Sequence, residues 1–169
     1  MYFQFQKGTQ ENVETFIRFL DEIKAGMAQK DWFYLDPADV VRSMIKDGTL
    51  EFWLAFHEGQ LAAVFSILFP GLQAHNYGYD LGFREEKLMQ VVHMDTAAVH
   101  PDYRGCGLQG RMVQMAEREL SGKGKRILLS TVHPDNEFSL NNMLKQGYAV
   151  QKRVEKYGSE RLILQKEIF

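Results

Sequence analysis

The sequence predicts an α/β (α+β) domain, a mixed central sheet of about seven strands with about four helices, in the order β-α-α-β-β-β-α-β-α-β-β. Three observations carry this. Short β-rich runs are bounded by turn residues, two pairs of them meeting at a glycine turn. Between them, apolar residues recur three and four positions apart, as on one face of a helix. No linker, repeat or low-complexity stretch divides the 169 residues, so 1–169 reads as one domain.

The elements follow in order. Phe3 and Phe5 alternate with Gln4 and Gln6, the period of a half-buried strand. Thr9 can cap the next element, where Val13, Phe16, Ile17, Leu20, Ile23 and Met27 fall at helical spacing. Trp32-Phe33-Tyr34 reads as an aromatic loop. Asp36-Pro37 has the form of an N-cap and first helical position, opening a short helix. Residues 50–56 and 61–69 are β-rich, with Glu58-Gly59 as the hairpin turn between them. Residues 70–82 are loop-like and contain Tyr77 and Tyr79, and 88–99 read as a long strand. Leu108, Met112, Met115, Ala116 and Leu120 line one face of an amphipathic helix that Gly122 and Gly124 end. Residues 127–132 form the short continuous apolar run of a central strand. Pro134 and Asp135 start another helix, which ends at Gly147, and a last hairpin turns at Tyr157-Gly158-Ser159.

Composition narrows the function classes. Apolar residues make up 45% and charged residues 25%, as in ordinary globular proteins. Twenty basic residues against 22 acidic ones give a net charge of −2 with no basic stripe, so no nucleic-acid partner is expected. The longest apolar run, 61–69, is far short of the ~20 residues of a spanning helix, and no membrane association is expected. The first residues carry no apolar leader, and the one cysteine, Cys106, has no internal partner, so a cytoplasmic location is expected.

The most informative segment is Arg104-Gly105-Cys106-Gly107-Leu108-Gln109-Gly110, between a predicted strand and a predicted helix. The first N–H groups of a helix lack partners and its dipole favours an anion, while glycines let a phosphate come close to the backbone. Arg104 adds a charged fork. A tight strand-to-helix turn would account for any two of these glycines. No Lys-Ser or Lys-Thr follows as in a P-loop, and the spacing is wrong for a dinucleotide fingerprint.

The flanking residues sharpen the reading. Asp95-Thr96-Ala97-Ala98-Val99-His100-Pro101-Asp102-Tyr103-Arg104-Gly105-Cys106-Gly107-Leu108 resembles the central acetyl-CoA-binding motif of the GNAT (Gcn5-related N-acetyltransferase) superfamily. That motif is a strand ending in a small or apolar residue and Val, then His-Pro, Arg-Gly-x-Gly and a helix. Asn136, Ser139, Gly147 and Tyr148 fall where the family has Asn, Ala or Ser, Gly and an aromatic. Two positions depart from the pattern: Gln109 stands for a second glycine or alanine, and Met143 for a tyrosine thought to protonate the departing thiolate. Met143 cannot donate a proton.

The resemblance implies a GNAT fold, acetyl-CoA as cofactor, and transfer of its acetyl group by direct attack to a primary amine, either a small molecule or a peptide. It implies that backbone N–H groups from Arg104 through Gly105, Cys106, Gly107, Leu108 and Gln109 to Gly110 cradle the pyrophosphate. Ala97, Ala98 and Val99 would pair with the pantetheine arm, with the Val99 N–H as oxyanion donor. Asn136 would bond the pantetheine or cap a helix, Ser139 lies beside it, and Asn142 or a water would assist the thiolate. No metal ligand set is assigned. The amine must lose a proton, since alkyl amines titrate near ~10.4. Asp95 is the candidate base, or else a structural carboxylate; period two puts it on one face with Ala97 and Val99, and desolvation would raise its pKa. His93, on the same face, is the runner-up. Acceptor candidates are Trp32, Phe33, Tyr34, Tyr77, Tyr79 and Asp80, aromatics beside an acid that would suit a cationic amine or simply pack as core. Two other readings stay open: an acyl-CoA-binding sensor or scaffold without transferase activity, and an interaction protein whose glycine loop is only a turn.

Overall fold

Seven strands form one sheet in the order β1-β2-β3-β4-β5-β7-β6, seen in a computed structural model that describes residues 1–169. The strands are β1 (Gln4–Lys7), β2 (Leu50–His57), β3 (Gln60–Leu68), β4 (Val91–Val99), β5 (Ile127–Val132), β6 (Ala149–Lys156) and β7 (Ser159–Glu167). Five helices join them: α1 (Val13–Ala25), α2 (Ala38–Asp47), α3 (Glu85–Leu88), α4 (Leu108–Leu120) and α5 (Glu137–Lys145). Only β4 and β5 pair in parallel. None of the helices is long and apolar enough to cross a membrane.

The middle strands are buried on both faces, which is why they read as continuous apolar runs. On one face Ala63, Phe65 and Ile67 of β3 meet Leu108, Met112, Val113 and Ala116 of α4. On the other, Val64 and Leu68 meet Phe16 and Leu20 of α1 and Val41 and Ile45 of α2. The β6–β7 hairpin turns on Tyr157 (φ 57°) and Gly158 (φ 80°), the paired left-handed conformations that a two-residue turn between twisted strands requires.

Two local expectations are corrected. The long strand begins at Val91, because the short helix α3 occupies residues 85–88 and buries Leu88. Pro37, not Asp36, is the N-cap of α2, so the Asp36 carboxylate is not spent on the helix start.

The feature that makes a site is a parting in the middle of the sheet. β4 and β5 pair only at Val91–Ile127, Val92–Leu128 and His93–Leu129. Beyond that point β4 continues to Val99 paired with β3 alone, and β5 to Val132 paired with β7 alone.

Candidate functional site

Backbone groups face this wedge for a reason of register. The His100 N–H donates to the Ala62 carbonyl at 2.8 Å, so that pair exchanges ladder bonds. In an antiparallel ladder bonded and non-bonded pairs alternate, and the opposed pairs Ala63–Val99 and Phe65–Ala97 are therefore non-bonded. The N–H and C=O groups of Ala97 and Val99 consequently point away from β3, toward the absent β5. Ala98 spends its backbone on β3 and buries its side chain in the α1–α2 core. At the crotch of the wedge the Ser130 Oγ donates to the Met94 carbonyl at 3.0 Å, replacing a ladder bond.

A β-bulge then turns one carboxylate. Ile67 pairs with Met94 and Ser66 with Thr96, leaving Asp95 as the extra residue. Met94, Ala97 and Val99 all pack toward α4, whereas Asp95 bonds Ser66 on the opposite face. The regular alternation that would put Asp95 on the face of Ala97 and Val99 is broken here. Asp95 Oδ2 accepts from Ser66 Oγ and from Thr96 Oγ1, both at 3.1 Å. Burial pushes its carboxyl up to about 6, aided by the Asp36 carboxylate and opposed by the two hydroxyl bonds. The Asp95 carboxyl thus titrates closer to neutral pH than an ordinary carboxylate.

The wedge opens into a cavity of about 150 Å³ that passes through the sheet from the α1–α2 side to α4 and α5. Asp95, Ser66, Trp32, Phe33, Tyr34, Asp36, Tyr77, Tyr157 and Arg161 line the first part, and Ala97, Gln109, Asn136, Ser139 and Met143 the second. The Tyr77 and Tyr157 hydroxyls are 2.6 Å apart, and Tyr34 stacks on Tyr157 with ring centroids 4.1 Å apart. Burial raises both bonded phenols above their ordinary value, so they stay protonated.

At the far end, Gly105 (φ 80°) and Gly107 (φ 71°) hold a left-handed backbone with open space where side chains would stand. The N–H groups of Gly105, Gly107, Leu108, Gln109 and Gly110 have no acceptor in the protein, whereas those of Arg104 and Cys106 bond the carbonyls of Pro101 and Tyr103. The set of open N–H groups is therefore narrower than the sequence suggests. It opens a 13-residue helix anchored by buried Leu108. Asn136 caps α5, its Oδ1 accepting from the Ser139 N–H at 3.3 Å. Asn142 leaves a buried Nδ2 without a partner, an orphaned donor beside Gly110. Met143 is 4% exposed, part of the core and of the cavity wall together.

His93, Tyr79 and Asp80 fall outside this cavity. His93 is 1% exposed, and its Nε2 accepts the Tyr77 N–H at 3.1 Å. Its ring stacks on Tyr77 at 3.8 Å, and burial drives its pKa well below the ordinary imidazole value. It is a neutral support for Tyr77. Tyr79 points out and donates to the Leu72 carbonyl, and Asp80 pairs with Lys156 at 2.8 Å. Conversely, Ser66, Asp36, Tyr157 and Arg161 line the cavity although no sequence pattern points to them. Asp36 was masked by its cap-like context before Pro37, and Tyr157 by its place in a turn. No local signal marks Ser66 or Arg161.

Comparison with known proteins gives a consistent picture. A model described as Acetyltransferase (GNAT) family matches residues 17–148. The fold is shared with NAA60 of Arabidopsis thaliana in complex with acetyl-CoA, at a TM-score of 0.77 and 13% identity over 99% of each chain. It is shared with a GNAT-family acetyltransferase of Streptococcus pneumoniae, at 0.73 and 14% over 99% of this chain and 100% of that one. It is shared also with yncA of Salmonella typhimurium, solved with its cofactor acetyl-CoA, at 0.71 and 12% over 99% and 94%. A search of curated proteins by sequence gave no match.

Proposed function

Because this chain belongs to the GNAT acetyltransferase family, we propose that it acts as a single N-acetyltransferase domain over 1–169, moving an acetyl group from acetyl-CoA to a primary amine by direct attack. The observation that carries the reading is the junction, in one cavity, of open backbone groups on one side and a carboxylate of raised pKa on the other.

The residues fit acetyl-CoA. Five free N–H groups at the start of α4 suit a pyrophosphate, with Arg104 adding charge at the surface. The unpaired edge of β4 suits an amide-bearing arm laid along it, and the orphaned Asn142 Nδ2 offers a further donor. Acetyl-CoA supplies the acyl group as a thioester. In this reading Asn136 and Ser139 line its path, and the Val99 N–H donates to the carbonyl oxygen as that oxygen gains negative charge. Asp95, ionised above pH 6, takes the proton that the acceptor nitrogen loses as it bonds to carbon. Met143 offers no proton, so the sulfur that leaves takes one from solvent. A thiol near ~8.5 is a good enough leaving group to manage this.

The test is calorimetric titration with acetyl-CoA followed by thiol release against a panel of amines. Binding with amine-dependent release is expected. The absence of acetyl-CoA binding would overturn the reading. Met143 favours one second reading, an acyl-CoA-binding scaffold, which binding without release to any amine would support.

A further inference from the structure

The acceptor end of the cavity carries a charge that the transfer chemistry does not use. Arg161, on β7, is 3% exposed, yet it lines the cavity. Its three hydrogen bonds all go to neutral oxygens: Ser159 Oγ and the carbonyls of Glu160 and Asp31. A guanidinium has five N–H donors, so two remain. No carboxylate lies within salt-bridge distance of it; Asp31, the one acid whose charge raises its pKa, is largely exposed and lies 3.7 Å from His133 Nε2, and burial outweighs it. Burial lowers the Arg161 pKa, the mark of a cation lacking full compensation. Pinning the Asp31 carbonyl does not explain this charge, because a neutral amide would donate to the same oxygens without the cost of burying an ion.

Arg161 and Asp95 stand on opposite walls of the parting, one on the β5–β7 side and one on β4. An acid on one wall and a guanidinium on the other complement an ammonium and a carboxylate in one small molecule. Trp32, Phe33, Phe16 and Leu20 close the space around them with apolar surface. The whole cavity, its α4–α5 end included, holds about 150 Å³, below the ~300–1,000 Å³ of sites for larger ligands, so the part beside Arg161 suits only a small molecule.

We propose that the acceptor is a free α-amino acid with an apolar side chain, its carboxylate held by the spare N–H groups of Arg161 while its amine faces Asp95. The inference rests on the transferase reading and adds to it the class of acceptor. It excludes a peptide N-terminus, whose first residue carries an amide where the free amino acid carries the anion.

Binding tests this without relying on turnover. Protein saturated with CoA is titrated calorimetrically with N-acetyl-L-phenylalanine and with its carboxamide, which differ only in the charged group. The carboxylate is expected to bind at least about tenfold more tightly, the worth of a charge-assisted pair in an enclosed site. Arg161→Gln should bring the ratio close to one while CoA affinity stays within about twofold, and Arg161→Lys should restore part of it. Equal affinities in the wild-type protein, a ratio that survives in Arg161→Gln, or no binding of either compound while CoA binds, would each overturn the inference and leave the transferase reading standing. Loss of CoA binding in the wild-type protein would instead overturn that reading and this one with it. The wild-type ratio decides the matter even if the variants do not fold.

Discussion

Asn at position 95 should make a more stable and much poorer enzyme. Asp95 is held with its carboxyl at about 6, against 3.8 in an unfolded chain, chiefly because the cavity walls exclude water from it. That difference corresponds to about 3 kcal/mol. The folded pKa is the higher one, so the native state keeps the proton to higher pH than the unfolded state does. The penalty is absent below about pH 4, grows between pH 4 and 6, and is complete above. Asp95→Asn never ionises and keeps an oxygen for Ser66 and Thr96. Its stability relative to wild type should rise by up to about 3 kcal/mol from pH 4 to pH 8. The same change should lower kcat/KM by roughly 10²–10⁴-fold and abolish the acidic limb of the pH–rate profile near pH 6. Urea denaturation at both pH values gives the first result and thiol release the second. A stability difference that does not change with pH would refute the buried-carboxylate argument. A near-normal rate with the same acidic limb would refute the base assignment.

Gly107→Val should weaken CoA binding several-fold or more in calorimetry, since Gly107 holds φ at 71° and opens the cradle; unchanged affinity in a folded variant would remove the cradle. His93 is neutral in the native state with its pKa well below that of a free imidazole, so the native state binds fewer protons and stability falls as pH drops below about 6.5. His93→Gln, followed by denaturation at pH 5 and pH 8, should lose less stability on acidification than wild type and should keep the acidic limb of the rate profile. Met143→Tyr places a phenol in the cavity wall and should keep acetyl-CoA affinity within a few-fold while raising thiol release in a single turnover; unfolding of the variant would show the site too tightly packed for a ring.

Local signals made the frame legible. The Glu58-Gly59 and Tyr157-Gly158 turns, the helical spacing of α1 and α4, and the glycine loop each depend on a few neighbouring residues, and each lies where the sequence puts it. The lining of the cavity was harder to read. Alternation assigns Asp95 a side only if the ladder is regular, and the bulge opposite Ser66 is a property of two strands together. Tyr157 and Arg161 reach the cavity because β7 lies between β5 and β6, an order that no stretch of sequence announces. Tyr77 and Tyr79 differ by two positions in a loop without a period. Tyr77 points inward because its ring stacks on the buried His93 and its hydroxyl bonds Tyr157, both far from it in sequence.

The parting of β4 and β5 also bears on aggregation. An unpaired strand edge at the rim of a sheet is an invitation to any extended chain that diffuses past. This protein keeps two such edges, on β4 beyond His93 and on β5 beyond Leu129, in the middle of its sheet. They face each other across a gap that closes to nothing at the last shared pair. A foreign strand would have to enter with side chains on both faces, where α4 and α5 cover one side and α1 and α2 the other. The fold thus retains the pairing capacity of a free edge for a slender ligand while denying it to other polypeptides.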